Sequence, residues 1–424
     1  MISRRTLTST LKDRRLADWI VIERDQDLVS ARRDRVRRED RMVYSVTVHV
    51  DTPRGRGTAR VEVTGPGGST RATVDHAIDL ATAALGPSWR ATPPAAPARV
   101  ALLDPALATA SLDEVAARTV AAWKAPGMAV DGSLEILRER VTVETQAGLK
   151  TGWLASLVHA NVRLASESTS LAIVREARQV VDLHLDEAFA TAVHDFAAMD
   201  QALPTKTGKR ALLLRTEALL HGGGLGLWDV FAAHATAELE RQGLVRYRLG
   251  APIAAGANAV DEPITITSDG SLDYGTRSAP LSEEGAAVRR FALVENGIAT
   301  GLGLSMREAA RRRLEPNGGV RNLVVSSGTW VPPANPAAVL AQPPYVEVHR
   351  LRSCVVDPYT GDATLEIALA TDFDGKSTST IKQGQIRLDL VAALARAKRS
   401  AAPLRRGAYF GPDAVLIENI ELLA

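Results

Sequence analysis

Apolar and polar positions alternate with a period of two over "MVYSVTVHVD" (residues 42–51) and again over "GTARVEVTGPGG" (57–68). Successive side chains of a strand point to opposite faces, so each run predicts a strand with one covered side. The turn "TPRGRG" between them joins the pair into an antiparallel hairpin. Upstream, residues 5–25 predict a short helix followed by the strand "WIVIE". At "TRATVDHAIDLATAAL" (70–85) the period changes, placing Val74, Ile78 and Ala81 on one helical face. The Pro/Ala-rich "GPSWRATPPAAPA" (86–98) then reads as an extended connection.

A second cycle follows. It comprises a strand "RVALL" and a helix "SLDEVAARTVAAWKA", with Ser111 as cap and Glu114 completing a capping box. Strands are expected near 134–145 and 153–164, and residues 170–203 predict a strand or turn leading into a long helix that ends before Pro204. "TKTGKR" (205–210) divides the chain into an N-terminal α/β domain (1–205) and a C-terminal β-rich α+β domain (206–424). Strands and helices mix without a regular βαβ period, so the class is α+β, with mixed or antiparallel sheets and packed helices in each domain.

Composition narrows the function classes. Lys and Arg exceed Asp and Glu by only 51 to 49, and aromatic residues are 4%, which argues against a nucleic-acid platform. The arginine-rich "ARRDRVRREDR" (31–41) is interrupted by Asp34, Glu39 and Asp40, as a solvated face would be. Cys354 is the only cysteine, consistent with a reducing compartment, and is expected to be a small buried hydrophobe. The longest charge-free run, Asn322 to Val346, is broken by five prolines and cannot form a membrane helix of about 20 apolar residues. A soluble, cytoplasmic protein is expected.

The stretch "TEALLHGGGLGLWDVFAAHATAEL" (216–239) carries the most chemistry. As an oxyanion loop, "HGGG" would need a serine flanked by glycines on a G-x-S-x-G elbow, which the chain lacks. As a phosphate loop it lacks G-K-[ST], and Leu227 stands where the last glycine of G-x-G-x-x-G belongs. Structurally, consecutive glycines cost a helix roughly 1 kcal/mol each, predicting a helix end at His221, a glycine turn, and a new helix from about Leu227. His221 alone cannot hold a catalytic zinc, which needs three protein ligands and an open position. At a helix end it is expected to bond backbone carbonyls.

The C-terminal half, from "DEPITITSDGSLDYGTRSAPLSEEG" through "FALVENGIATGLGL", "PNGGVRNLVVSSGTW" and "DPYTGDATLEI", resembles the TldD/PmbA family, once called modulators of DNA gyrase. The first sheet and helix resemble that family as well. In its TldD-type members the segment matching "LLHGGGLG" reads H-E-x-x-x-H, so His221 matches the first histidine, while Gly222 and Gly226 stand for the glutamate and second histidine. The family's third ligand, a cysteine near the C-terminus, has no counterpart, since Cys354 lies well upstream. The resemblance therefore places the chain with the TldE-type members. It implies no cofactor in this chain, zinc in a TldD-type partner, and a heteromeric peptidase that encloses unfolded peptide. Peptide is expected to add as a strand, with Phe291, Glu295, Asn296, Asn322 and Val324 as candidate contacts.

Two rivals follow from the residues. An active metallohydrolase could use His184 and His194 with Asp186, Glu187 and Asp195, although His194 lies about 80° round the helix from His184. A nucleic-acid or gyrase-associated binder could use the arginine runs. In "DPYTGD" (357–362), Pro358 and Gly361 predict a turn, and its two carboxylates fall short of a calcium site.

Overall fold

A computed structural model of the chain describes residues 2–33, 35–65, 67–86, 96–124, 128–166, 170–332 and 344–424. The fold is α+β. The N-terminal part opens with α1 (Arg4–Lys12), capped by Ser3, then β1 (Asp18–Arg32), β2 (Arg35–Thr52) and β3 (Gly55–Thr64). It continues with α2 (Thr70–Ala83), β4 (Leu85–Gly86), α3 (Pro105–Thr109), α4 (Leu112–Ala121), β5 (Ala129–Thr145), β6 (Lys150–Ala165), β7 (Ser170–Ala177) and α5 (Leu185–Gln201). These strands form one antiparallel seven-stranded sheet in the order β4-β3-β2-β1-β5-β6-β7. The expected hairpin is β2–β3, with Thr52 opposite Gly55.

Alternation explains what covers the sheet. Val21, Val46 and Val48 pack with Leu7 and Leu11 of α1 and with Val74 and Ala81 of α2. Farther along, Val29, Leu134, Ile136 and Val158 pack with Leu112 and Ala116 of α4 and with Ala192 and Phe196 of α5. Ser111 caps α4 as expected, accepting from Glu114 N. The "RVALL" run is not a strand. Leu102 is buried there, and its carbonyl accepts from Ser156 N and Oγ, but the segment crosses the sheet without joining it. Most of the Pro/Ala-rich connection, residues 87–95, lies outside the described residues.

The arginine run sits at the β1–β2 tip, where acidic neighbours answer it. Arg32 pairs with Asp131 at 2.8 Å, Arg38 with Asp27 at 2.9 Å, and Arg41 with Glu39 at 2.7 Å. Such local pairing leaves little field for tracking phosphates.

The C-terminal strands begin with β8 (Leu203–Pro204), β9 (Gly208–Arg215), β10 (Ile266–Asp269), β11 (Arg290–Glu295), β12 (Ile298–Ala299) and β13 (Asn322–Val325). They end with β14 (Tyr345–Val356), β15 (Asp362–Phe373), β16 (Thr378–Lys382), β17 (Gln385–Asp389), β18 (Lys398–Arg399), β19 (Pro403–Arg406), β20 (Tyr409–Pro412) and β21 (Ala414–Leu423). A six-stranded sheet runs β12-β11-β10-β13-β20-β19, and an eight-stranded one runs β14-β9-β21-β17-β15-β16-β8, with β18 on β21. One continuous core, from Leu212 to Leu422, fills the space around them. "TKTGKR" lies between β8 and β9, both strands of the eight-stranded sheet, so the crossing from the first sheet to the others is made by α5. That helix also touches the eight-stranded sheet, through Ala368 and Leu369 of β15.

Arg178, buried at the end of β7, ties the two parts together. Its guanidinium donates to the carbonyls of Ser156, Gly275 and Ser278, each at 2.9 Å, and to that of Thr276 at 3.1 Å. Burial lowers its pKa to about 10, which still leaves it charged at neutral pH. Arg178→Met strips four carbonyls of their donor, and a loss of about 3–5 kcal/mol is expected in urea unfolding.

Among the described residues no helix is long and apolar enough to cross a membrane.

Candidate functional site

The chain leaves β9 into α6 (Thr216–Leu219), a single turn anchored by Thr216 Oγ1, which donates to Asp413 O at 3.0 Å. Four glycines follow with left-handed backbone: Gly222 at φ 76°, Gly223 at 85°, Gly224 at 60° and Gly226 at 54°. Only glycine enters that region without steric cost, so α6 ends and the chain restarts in α7 (Asp229–His234). The predicted break is therefore present. Trp228 and Phe231 then stack, ring centroids 5.9 Å apart, and seal the restart into the core.

The positions matching the metal motif differ in kind. A Cβ on Gly222 would meet no atom within 4 Å, whereas one on Gly226 would overlap Leu219 O and Leu220 Cα. His221 lies just after α6 and is half-buried, which lowers its pKa and keeps the ring neutral. Contrary to expectation, its ring bonds no backbone carbonyl among the described residues. Instead it lines a cleft of about 780 Å³ between β7, β14 and the end of α5. A cavity of about 870 Å³ lies elsewhere, around Trp330, Lys398 and Glu418, and the glycine loop does not reach it. The smaller cleft is the candidate site because buried charges converge on it.

Glu217, in the turn just before His221, organises that charge. It accepts from Arg175 Nη2 at 2.6 Å, Arg350 Nη1 at 2.9 Å and Arg406 Nη1 at 2.7 Å. Burial alone would raise its pKa, but the three guanidinium groups outweigh that and hold it at about 2. Arg350 Nε also donates to Asp195 of α5 at 2.7 Å. The five residues come from β7, α6, β14, β19 and α5, and hydrogen-bonded pairs among them lie up to 189 residues apart, so no local pattern could have marked them. Arg163, Arg352 and Lys382 add further positive charge to the walls, against Asp200.

A zinc ion does not fit here. His221 offers one nitrogen, Gly222 and Gly226 offer none, and Glu217 is already bound by three cations. Zinc needs at least three good donors and an environment that tolerates added positive charge.

The other predicted residues are scattered. His184 is the left-handed residue preceding α5, and His194 is 85% exposed, 3.8 Å from Asp195. Among the described residues no three His, Cys, Asp or Glu side chains are grouped to hold a metal. The edge proposed for Asn322 and Val324 does not exist, because β13 is hydrogen-bonded to β10 on one side and β20 on the other. Asn322 is instead buried, donating to Asp269 O at 2.6 Å and accepting from Arg277 N at 3.0 Å. Phe291 packs against the core, and Glu295 and Asn296 stand at the tight β11–β12 turn, where Asn296 and Gly297 both have positive φ. Neither set reaches the cleft. Cys354 is half-buried against the core, its thiol pushed up to about 11 by burial. "DPYTGD" forms the expected turn, with Asp357 accepting from Tyr359 N and Thr360 N.

Three sheets around a glycine-rich loop that opens into an arginine-walled cleft define a two-part α+β protein. Residues 235–423 match the family described as PmbA/TldA metallopeptidase C-terminal domain. Three solved structures share the whole fold. A protein called a modulator of DNA gyrase from Bacteroides thetaiotaomicron superposes with a TM-score of 0.77 at 14% identity, covering 100% of both chains. Another so described, from Thermotoga maritima, gives 0.74 at 15% identity over 99% of this chain and 98% of that one. TldE from Thermococcus kodakarensis gives 0.71 at 15% identity over 99% of each. Comparison with curated proteins finds no match. The C-terminal part of the chain is thus similar to the PmbA/TldA family over residues 235–423, and the chain as a whole shares the fold of these three structures.

Proposed function

We propose that this chain is a non-catalytic, TldE-like subunit of a heteromeric metallopeptidase, working beside a TldD-type subunit that carries the zinc. Its role is to help enclose and hold unfolded peptide for proteolysis or maturation in the cytoplasm. Gly226 supports this most strongly. The position matching the second histidine is closed to any side chain by the backbone of α6, and the first histidine faces arginines rather than further ligands. A single neutral imidazole cannot lower the pKa of water as a three-ligand zinc does.

Co-purification with a TldD-type partner tests the proposal, followed by peptidase assays of each chain alone and together. The expected result is a stable complex, no turnover by this chain alone, and peptide cleavage only when the partner is present. Zinc-dependent hydrolysis by the isolated chain would overturn it, and so would a partner equally active without it.

A further inference from the structure

The cleft beside His221 carries more positive charge than its own carboxylates neutralise. Arg163, Arg175, Arg350, Arg352 and Lys382 line it, against Glu217 and Asp200. Glu217 is shared among three guanidinium groups, with Arg406 as the third, and only Arg350 has a second carboxylate partner, Asp195, so the three cations face two carboxylates. Two of the buried arginines also keep unused donors. Among the described residues, Arg350 Nη2 and Arg175 Nε have no hydrogen-bond partner, on side chains only 6% and 5% exposed. A buried N–H without an acceptor costs about 1–3 kcal/mol, so the network around Glu217 leaves its arginines under-satisfied. At the rim, Arg352 is exposed and forms no ion pair among the described residues. It stands two residues from Arg350 on β14, and both line the cleft although the β14–β15 register shifts between them.

The size of the site restricts the anion. About 780 Å³ falls within the range of small-ligand and short-peptide pockets. Val174, Leu171, Leu220 and Met199 supply apolar wall beside the charges, which suits a residue carrying both a side chain and a carboxylate. A planar carboxylate also matches the guanidinium fork better than a spherical ion does.

We infer that the His221 cleft is a carboxylate pocket that receives the C-terminal end of an extended peptide. It thus turns the position equivalent to a metal centre into an anchor for substrate. The inference rests on the peptide-holding part of the proposed function and does not require the partner.

The test uses the purified full chain and fluorescence anisotropy with one short peptide, N-terminally labelled, in three forms: free C-terminal acid, C-terminal amide, and amide with a terminal aspartate. Inorganic phosphate serves as competitor. The free acid is expected to bind at least ~10-fold more tightly than the amide, about 1.4 kcal/mol. Arg352→Glu should erase that preference while leaving the melting temperature near that of the parent. Arg163→Glu, at a second exposed rim position, should reduce it in the same direction. Equal binding of acid and amide overturns the pocket and leaves the peptide-holding role standing. Tighter binding of the aspartyl amide than of the free acid overturns the chain-end assignment, as does displacement of the acid by phosphate at equal concentration. No binding of any form overturns both the pocket and the peptide-holding role, while partner association remains separately measurable.

Discussion

Glu217→Ala is expected to destabilise the folded protein by about 3–5 kcal/mol, the usual cost of removing one partner from a buried ion network. The carboxylate sits among Arg175, Arg350 and Arg406 at 2.6–2.9 Å, and without it three largely buried guanidinium groups face each other. The same contacts predict a pH dependence. Glu217 is held at about 2 in the folded chain, against an ordinary value of 4.5. A depressed folded pKa stabilises the fold above the unfolded value. That contribution, on the order of 3 kcal/mol, is therefore complete above about pH 5 and drains away as the pH falls toward 2. Urea unfolding of the parent and of Glu217→Gln between pH 6 and 3 measures it. The gap between them should narrow steadily on acidification. Parallel stability curves across that range would show that Glu217 does not balance the arginines.

Rebuilding the metal motif should fail for a steric reason before any chemical one. Gly226→His, with or without Gly222→Glu, puts a Cβ into Leu219 O and Leu220 Cα at a backbone angle of φ 54°. The left-handed conformation alone costs a non-glycine residue roughly 1–2 kcal/mol. Displacing packed backbone adds more, so a loss of at least about 3 kcal/mol is expected. Gly222→Ala, whose Cβ enters open space, should cost only the first part, roughly 1–2 kcal/mol. Comparing Gly222→Ala with Gly226→Ala by thermal unfolding separates conformation from crowding. Metal analysis of the Gly222→Glu/Gly226→His protein should find no stoichiometric zinc. A folded, zinc-loaded double variant would show that the loop can rearrange into a ligand-bearing helix.

Much of the local structure was legible because it follows from spacing and turn chemistry. The β2–β3 hairpin, the Ser111 cap and the glycine break after α6 each depend on residues within about one turn or strand of each other. "RVALL" misled because an apolar run shows that a segment is covered, not that it has a strand partner, and here the cover comes from crossing the sheet near Ser156. Asn322 and Val324 misled as sites of strand addition for a related reason. Strand order is decided by which chains arrive later, and β20, some 85 residues downstream, closes the side that looked open. His221 was singled out from the motif, but its setting was not readable. Glu217, Arg175, Arg350 and Arg406 belong to four elements that meet only in the folded chain. An arginine at a strand position reads equally well as a surface residue, and nothing in its own neighbourhood reveals a buried counter-ion.

The long helix α5 has one side against the first sheet, through Ala192 and Phe196. At the flank of the same buried stripe, toward the second part of the chain, Arg350 grips Asp195, and Lys382 Nζ donates to Met199 O at 3.2 Å. A fragment cut at residue 205 would carry this helix with one flank stripped, baring Asp195 without its counter-ion and removing the cover that Ala368 and Leu369 supply. The chain therefore does not divide into separately usable modules at that point, even though the sheets do. Gene fusions, truncations or swaps with relatives would have to carry the helix together with β14 to β16 to keep that flank dressed.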